Sequence, residues 1–152
     1  MLPSTAKALS AGRDSGLDAS PALAAWASVR GSGASFLLVS VTKANALEVV
    51  SAPPTGGFDA LRAELLGAPD RVLFGAFPFS RGGAARFCFF AWVGPAVSGM
   101  ARAKVALQKN GVARALEGCS AELQWMEAGD TAREAVAAAL SAMPGAGEVA
   151  LP

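Results

Sequence analysis

The sequence predicts an α/β (α+β) domain in which helices cover both faces of a central, largely apolar sheet. Hydrophobic residues make up 53% and charged residues 16% of the 152 residues, which suits one well-filled globule. The segments "RVLFGAFPF" and "ARFCFFAWVG" are apolar almost throughout, as is typical of strands buried on both faces. Segments with helical spacing alternate with the predicted strands, and the resulting order is α-β-β-α-β-β-α-β-α.

The first half of the chain contains two predicted helices and a predicted strand pair. We expect order to begin at Leu17, and "SPALAAWASVR" predicts a helix with Ser20 as N-cap and Pro21 at the first helical position. "SFLLVSVT" and "ALEVVSA" are rich in bulky and β-branched residues and predict a hairpin. "FDALRAELLG" predicts a second helix that ends at Gly67.

The second half begins with the two apolar strands, which "SRGGA" joins, and continues into a long helix. This helix is predicted from Ala96 to about Glu117, and Asn110-Gly111 predicts a kink or break within it. On that helix Met100 and Leu107 point to one side, whereas another side carries Val105, Val112 and Leu116. "AELQWME" then predicts a short strand, and "DTAREAVAAALSAM" predicts a helix with Asp130 as N-cap.

The domain boundaries follow from the same pattern. We expect a flexible N-terminal tail at 1–16, a single domain at 17–143 and a loose C-terminal tail at 144–152. The first residues lack the apolar core of a secretory signal, and the acidic residues Asp14 and Asp18 disfavour the alternative of a mitochondrial presequence. The longest dense apolar run, "FCFFAWV", is too short for a membrane span of about 20 residues.

The residue types disfavour an enzyme and a metal or cofactor site. The chain has no histidine, which removes the usual Ser-His-Asp and Cys-His arrangements and the commonest metal ligand. It also lacks the glycine-rich loops that bind phosphate groups. Cys88 and Cys119 have no metal-ligand spacing, and Cys88 lies within an apolar strand pattern. A thiol-dependent enzyme and a disulfide remain the alternatives for these two residues.

The charges are distributed unevenly along a chain whose net charge is only +1. No acidic residue lies between Asp70 and Glu117, and that interval contains Arg71, Arg81, Arg86, Arg102, Lys104, Lys109 and Arg114. Such a stretch indicates either ordinary solvated positions or a contact with an acidic partner. Nucleic acid is disfavoured by the low basic count, and anionic lipid by the lack of lysine clusters. An acidic protein surface fits better.

The segment "FAWVGPAVSGMARAK" resembles the "TWIGENVSGLQRAK"-like segment of the coactosin-like proteins, which are part of the ADF-homology (ADF/cofilin) family. "DRVLFGAFPF" resembles the strand that enters the central hairpin of these proteins, and "LAAWASVR" resembles their first helix. The resemblance extends from about Leu17 to Met143. It implies the ADF-homology fold, a central mixed sheet of five to six strands flanked by helices.

The resemblance also implies a function and a set of binding residues. It implies a monomeric, cytoplasmic protein of the cytoskeleton that binds the side of filamentous actin without catalysis or cofactor. A basic residue before the fourth strand's apolar run contributes to filament binding in coactosin-like proteins, and Arg86 occupies that place. Arg102 and Lys104 match basic residues at the start of the family's long helix, and Lys109 matches a further basic site.

Departures from the family pattern keep a second function open. Gly83, Ala84 and Ala113 are neutral where lysine-type charge is expected, and Pro95 and Ala96 replace polar residues. The alternative is that the ADF-homology fold is reused as a structural or adaptor subunit that docks into a larger protein assembly.

Overall fold

The computed structural model describes residues 16–152, so the predicted tail at 1–16 lies outside the described residues except for Gly16. The four α-helices of this part are α1 (Leu23–Arg30), α2 (Gly57–Leu66), α3 (Gly99–Ala115) and α4 (Arg133–Ser141). The strands are β1 (Leu37–Val41), β2 (Leu47–Ser51), β3 (Val72–Arg81), β4 (Ala84–Val93), β5 (Ala121–Trp125) and β6 (Val149–Ala150). Short 3-10 turns precede α1 at Ser20–Ala22 and α4 at Ala128–Thr131.

The strands form one mixed sheet, as predicted. Five of them follow the order β2-β1-β3-β4-β5, and β6 pairs with the C-terminal end of β3. The β4–β5 pair is parallel and all the others are antiparallel. A parallel pair needs a crossover connection, and α3 lies within the one that joins β4 to β5.

Helices cover both faces of this sheet, which confirms the predicted layering. Alternate residues of β4 belong to separate buried clusters, with Phe89 and Ala91 in one and Cys88 and Phe90 in the other. The first cluster also contains side chains of α1 and α3, and the second contains side chains of α2 and α4. We call these the α1/α3 face and the α2/α4 face. Burial on both faces explains why β3 and β4 are apolar almost throughout.

The two predicted helix caps are wrong in detail. The Asp18 carboxylate, not Ser20, accepts hydrogen bonds at the first turn, from the hydroxyl (2.7 Å) and backbone N–H (3.0 Å) of Ser20. These bonds hold the pKa of Asp18 below its ordinary value. The α-helix starts only at Leu23, after the 3-10 turn. Similarly, Asp130 is not an N-cap: it lies within the 3-10 turn before α4, and its carboxylate accepts hydrogen bonds from the N–H groups of Met126 (2.8 Å) and Glu127 (3.2 Å). The helix α4 itself starts after Ala132 with no side-chain cap.

The predicted break in the long helix is also wrong, because α3 continues through Asn110 and Gly111. An internal glycine costs a helix about 1 kcal/mol relative to alanine. Here Val105 and Val112, on either side of the pair, are buried against the sheet. Burial of an apolar side chain contributes about 1.5–3 kcal/mol, so packing outweighs the local preference.

The expectation of a loose tail at 144–152 is wrong for its last residues. Val149 and Ala150 form β6 and pair with Arg81 and Ser80 of β3. Arg133 on α4 donates to the carbonyl oxygens of Leu151 (3.1 Å) and Pro152 (3.3 Å). The partners of this segment are distant in sequence, so local composition does not reveal them.

Candidate functional site

The turn between β4 and α3 is fixed by contacts to the segment before β3. Gly94 donates its N–H to the carbonyl oxygen of Arg71 (3.0 Å), and Ala96 donates to that of Pro69 (2.8 Å). A Cβ atom at position 94 would overlap the carbonyl group of Pro69. Glycine is therefore required here because two stretches of backbone approach closely.

The start of α3 has a side-chain cap. Ser98 lies in extended conformation, and its Oγ accepts a hydrogen bond from the N–H of Ala101 (3.2 Å). Its carbonyl oxygen accepts the first helical bond, from Arg102 (3.0 Å). The serine of the "VSG" motif thus sets where α3 begins.

The guanidinium group of Arg102, a predicted actin-binding residue, is hydrogen-bonded to backbone carbonyl oxygens of the same chain. Its Nε donates to the carbonyl oxygen of Val97 (3.2 Å), and its Nη2 donates to those of Gly94 and Pro95 (3.2 Å each). The side chain is partly buried in this arrangement. Arg102 therefore links the first turn of α3 to the preceding loop, which the charge pattern alone does not indicate.

Lys104 lies on an exposed face of α3 between two large apolar side chains. Met100 is 74% exposed and Leu107 is 71% exposed. The positions are four and three residues apart, so the three side chains share one side of the helix. We call Met100, Lys104 and Leu107 the exposed α3 face. The predicted opposite side of the helix is confirmed, because Val105, Val112 and Leu116 are buried.

Lys109, the third predicted site residue on α3, forms an ion pair across to β5. Its Nζ lies 3.0 Å from Oε2 of Glu122, with side-chain exposures of 25% and 50% respectively. A partner that uses Lys109 would have to compete with this carboxylate.

Arg86 lies on the other face of the sheet from α3. It pairs with Phe79 across the β3–β4 hairpin and follows the alternation of Cys88 and Phe90, so it is on the α2/α4 face. Its side chain is exposed, and neither Arg86 nor Lys104 forms an ion pair with any of residues 16–152. The structure thus brings Arg102 and Lys104 together on α3 but does not bring Arg86 to them.

A broad groove adjoins the exposed α3 face. Its volume is about 750 Å³, and Met100 and Lys104 line one side of it. Lys43 and Arg71 line it together with the carboxylate residues Asp70 and Glu48, so its charge is mixed.

Sequence reasoning missed the role of Arg81, which holds the end of α4. Its Nη1 donates to the carbonyl oxygens of Leu140 (3.0 Å) and Met143 (2.9 Å), and its Nη2 donates to those of Ser141 (3.1 Å) and Gly145 (3.0 Å). These carbonyl groups lie about sixty positions away in the chain, and no local motif identifies them.

The thiols lie in environments that suppress nucleophilic chemistry. Burial raises the pKa of the Cys88 thiol far above its ordinary value, and burial raises that of Cys119 to about 11. Both are free thiols. Residues 16–152 contain no group of three or more His, Cys, Asp or Glu placed to hold a metal ion. Within the same range, no helix has the length and hydrophobicity needed to cross a membrane.

The sequence and the fold both match known actin-binding proteins. The family model described as cofilin/tropomyosin-type actin-binding protein matches residues 16–141. The chain belongs to this family. The predicted membership of the ADF-homology family is therefore confirmed.

Solved structures agree with this family assignment. Coactosin from Entamoeba histolytica is 23% identical with a TM-score of 0.72, over 84% of this chain and 96% of that one. Human coactosin-like protein is 20% identical with a TM-score of 0.74, over 86% and 92%. Streptomyces griseoflavus cofilin is 18% identical with a TM-score of 0.69, over 79% and 93%. No curated protein matches the sequence. At these identities the structural likeness shows the ADF-homology fold.

Proposed function

We propose that this ADF-homology protein binds the side of actin filaments without catalysis, in the manner of coactosin. The observation that carries the proposal is the exposed α3 face, where Met100 and Leu107 flank Lys104. Large apolar side chains that are mostly exposed mark interaction surfaces when they cluster. A lysine between them adds attraction to an acidic partner and salt dependence to the binding.

Arg86 supplies a second contact area in this proposal. It is exposed, lacks an internal ion-pair partner among the described residues, and lies on the opposite face of the sheet from α3. Two separated contact areas suit a partner that presents repeated subunits, as a filament does. Each rim charge contributes about 0.5–1 kcal/mol to binding, and more where the contact excludes water.

The other two predicted residues have different roles in the proposal. Arg102 supports binding by holding the loop before α3, since three of its N–H groups are occupied by carbonyl oxygens. Lys109 contributes little, because its pairing with Glu122 already neutralises it.

Co-sedimentation with filamentous actin tests the proposal. The wild type is expected to pellet with filaments at low salt and less at moderate salt, whereas the Arg86→Ala/Lys104→Ala variant binds about 5–30-fold more weakly, as expected for the loss of two such charges. Lys43→Ala is the matched control for Lys104→Ala, since it removes one exposed lysine outside the exposed α3 face. Absence of wild-type pelleting at low salt would reject actin binding. Equal pelleting of wild type and variant would reject these two residues as the contact.

A second candidate function is a structural or adaptor subunit in a larger assembly. The observation that favours it is that Met100 and Leu107 are large and apolar, as in obligate interfaces, while only Lys104 beside them is basic. Under this alternative the protein co-purifies with a stable partner and Met100→Ser releases that partner, whereas moderate salt does not. The filament-binding proposal instead expects a cytoplasmic protein that elutes as a monomer in size-exclusion chromatography. Its binding to filaments should weaken as the salt concentration rises.

A further inference from the structure

The strands β1 and β3 separate at the end of the sheet where β4 leads into α3. Their mutual pairing stops where Val39 lies opposite Phe74. Beyond this point Val41 of β1 pairs with β2, and Val72 of β3 pairs with β4. In the described part of the chain the two strands no longer pair with each other there. The sheet is therefore split between two strands that are neighbours elsewhere, and we call this gap the split.

The groove beside the exposed α3 face occupies the split. Residues 40–42 of the β1 side and residues 70–72 of the β3 side line it, and Met100 and Lys104 of α3 lie along it. Paired strands lie about 4.8 Å apart, whereas here a volume of about 750 Å³ separates the two strand edges. Extended peptides bind such edges through main-chain hydrogen bonds. The groove is therefore suited to an extended segment of polypeptide.

The chain itself enters the described structure beside this groove. Asp18 forms a parallel bridge with Ala46 at the outer edge of β2. It donates its N–H to the carbonyl oxygen of Asn45 and accepts from the N–H of Leu47, at 2.9 Å each. Because the bridge is parallel, the residues before Asp18 lie toward the turn between β1 and β2. Lys43 of that turn lines the groove, so residues 1–15 precede a point at the edge of the groove.

The length of this segment is sufficient to reach the split. The path from the outer edge of β2 passes β2 and β1, which is two strand spacings or about 10 Å. An extended residue covers about 3.3 Å, so about three residues, 13–15, complete it. The next residues, "KALSAG" at 7–12, have mostly small side chains and one large apolar side chain, that of Leu9.

The groove matches the composition of residues 7–12. Its apolar lining includes Val41, Val72 and Val97, which belong to the buried cluster of the α1/α3 face or pack against it. Leu17 packs against the same cluster, so the chain already lies on this face where it enters the structure. The β3 side of the groove also presents the exposed carboxylate of Asp70, which is opposite in charge to Lys7.

Attachment to the protein compensates for a weak contact. A segment tethered close to its site meets that site at an effective concentration in the millimolar range. A contact of a few residues is then populated, although the same peptide added separately would bind weakly. Since Met100 and Lys104 line the groove, a segment within it covers part of the exposed α3 face.

We propose that residues 7–12 insert as an extended strand between β1 and β3 and thereby cover Met100 and Lys104, so that this segment competes with the filament. The competition rests on the proposed filament binding, whereas the insertion does not. The protein then exchanges between a closed form, with the segment in the split, and an open form whose exposed α3 face is free. The apparent filament affinity falls in proportion to the fraction of the open form.

A nitroxide spin label measures the insertion in the full chain without actin. A label at Ala8→Cys should broaden the amide NMR signals of Val41 and Val72, at the two edges of the split. The signal of Ala150, which pairs with the opposite end of β3, should not change. The label is attached under conditions in which the wild type, with its two native thiols, takes up none.

Proline substitution in the labelled protein distinguishes insertion from mere proximity of the tether. Ser10→Pro should remove most of the broadening, because proline lacks the N–H that a central strand requires. Ser4→Pro is the matched control, since Ser4 lies outside residues 7–12, and it should leave the broadening unchanged. Thermal melts check that all variants fold. Equal broadening with and without Ser10→Pro, or none in any variant, would overturn the insertion.

Co-sedimentation with filamentous actin measures the competition. If the segment occupies the split for about nine-tenths of the time, Ser10→Pro should bind filaments about tenfold more tightly than the wild type. Ser4→Pro should bind as the wild type does. Loss of broadening in Ser10→Pro without tighter binding would overturn the competition. If neither the wild type nor Ser10→Pro pelleted, filament binding would be rejected, and the broadening alone would still decide the insertion.

Discussion

Replacing Arg102 with lysine separates the charge of this side chain from its geometry. If Arg102 acted through its positive charge on a partner, lysine would replace it. The hydrogen bonds to Val97, Gly94 and Pro95 instead need a planar group with donors in fixed directions. An ammonium group at the same position reaches at most one of these carbonyl oxygens. We therefore expect Arg102→Lys to behave nearly as badly as Arg102→Met.

The magnitude follows from the number of bonds lost. Two of the three bonds are broken, and a typical intramolecular hydrogen bond contributes about 1 kcal/mol net. The bond to Pro95 is exposed, so the free energy of unfolding should fall by about 1–2 kcal/mol. For a domain of this size that corresponds to a decrease of about 3–6 °C in Tm.

Thermal melts and co-sedimentation with filamentous actin measure the two consequences. Lys104→Met is the control, since Lys104 is exposed. This variant should change the free energy of unfolding by less than about 0.5 kcal/mol, whereas its filament binding should weaken. The reasoning would be refuted if Arg102→Lys kept both Tm and binding while Arg102→Met lost binding without loss of stability. Arg102 would then act by direct charge pairing.

Three further outcomes test other parts of the structure. Gly94→Ala should lower the free energy of unfolding by about 1–3 kcal/mol in denaturant titrations, because its Cβ overlaps the carbonyl group of Pro69; an unchanged midpoint would contradict this packing. A thiol reagent should label neither Cys88 nor Cys119 in the folded protein at neutral pH, because burial raises both pKa values, and rapid labelling would contradict it. Asp18→Ala should lower the unfolding midpoint at neutral pH. Because the folded-state pKa of Asp18 is lowered, its stabilisation is present above the ordinary carboxyl pKa and is lost as pH falls through the lowered value. If the stability difference between the wild type and Asp18→Ala persisted below the lowered pKa, the ionised carboxylate of Asp18 would not be its source.

Local pattern was enough to predict the order of helices and strands from α1 to α4, but not β6. The near-continuous apolar runs of β3 and β4 reflect burial on both faces, and that burial requires helices on each side of the sheet. The spacing of Val105, Val112 and Leu116 predicted the side of α3 that faces the sheet. These features depend on which residues are apolar and how they repeat along the chain.

The failed local predictions share one cause. Asn110-Gly111 has a weak helical preference, yet α3 continues because its neighbours are buried against the sheet. The last residues of the chain look unstructured by composition, but β3 pairs with them as β6. In both cases contacts between distant segments decided the structure, and at Gly111 the local preference they outweighed is about 1 kcal/mol.

The sequence by itself determined the family, the layered fold and the supply of basic residues between Asp70 and Glu117. Only the tertiary structure decided what each of those residues does. Arg81 and Arg102 donate to backbone carbonyl groups, Lys109 pairs with Glu122, and Arg86 lies on the opposite face of the sheet from α3. The physical reason is that a charge acts through the groups around it, and chain folding, not spacing in the sequence, brings those groups together.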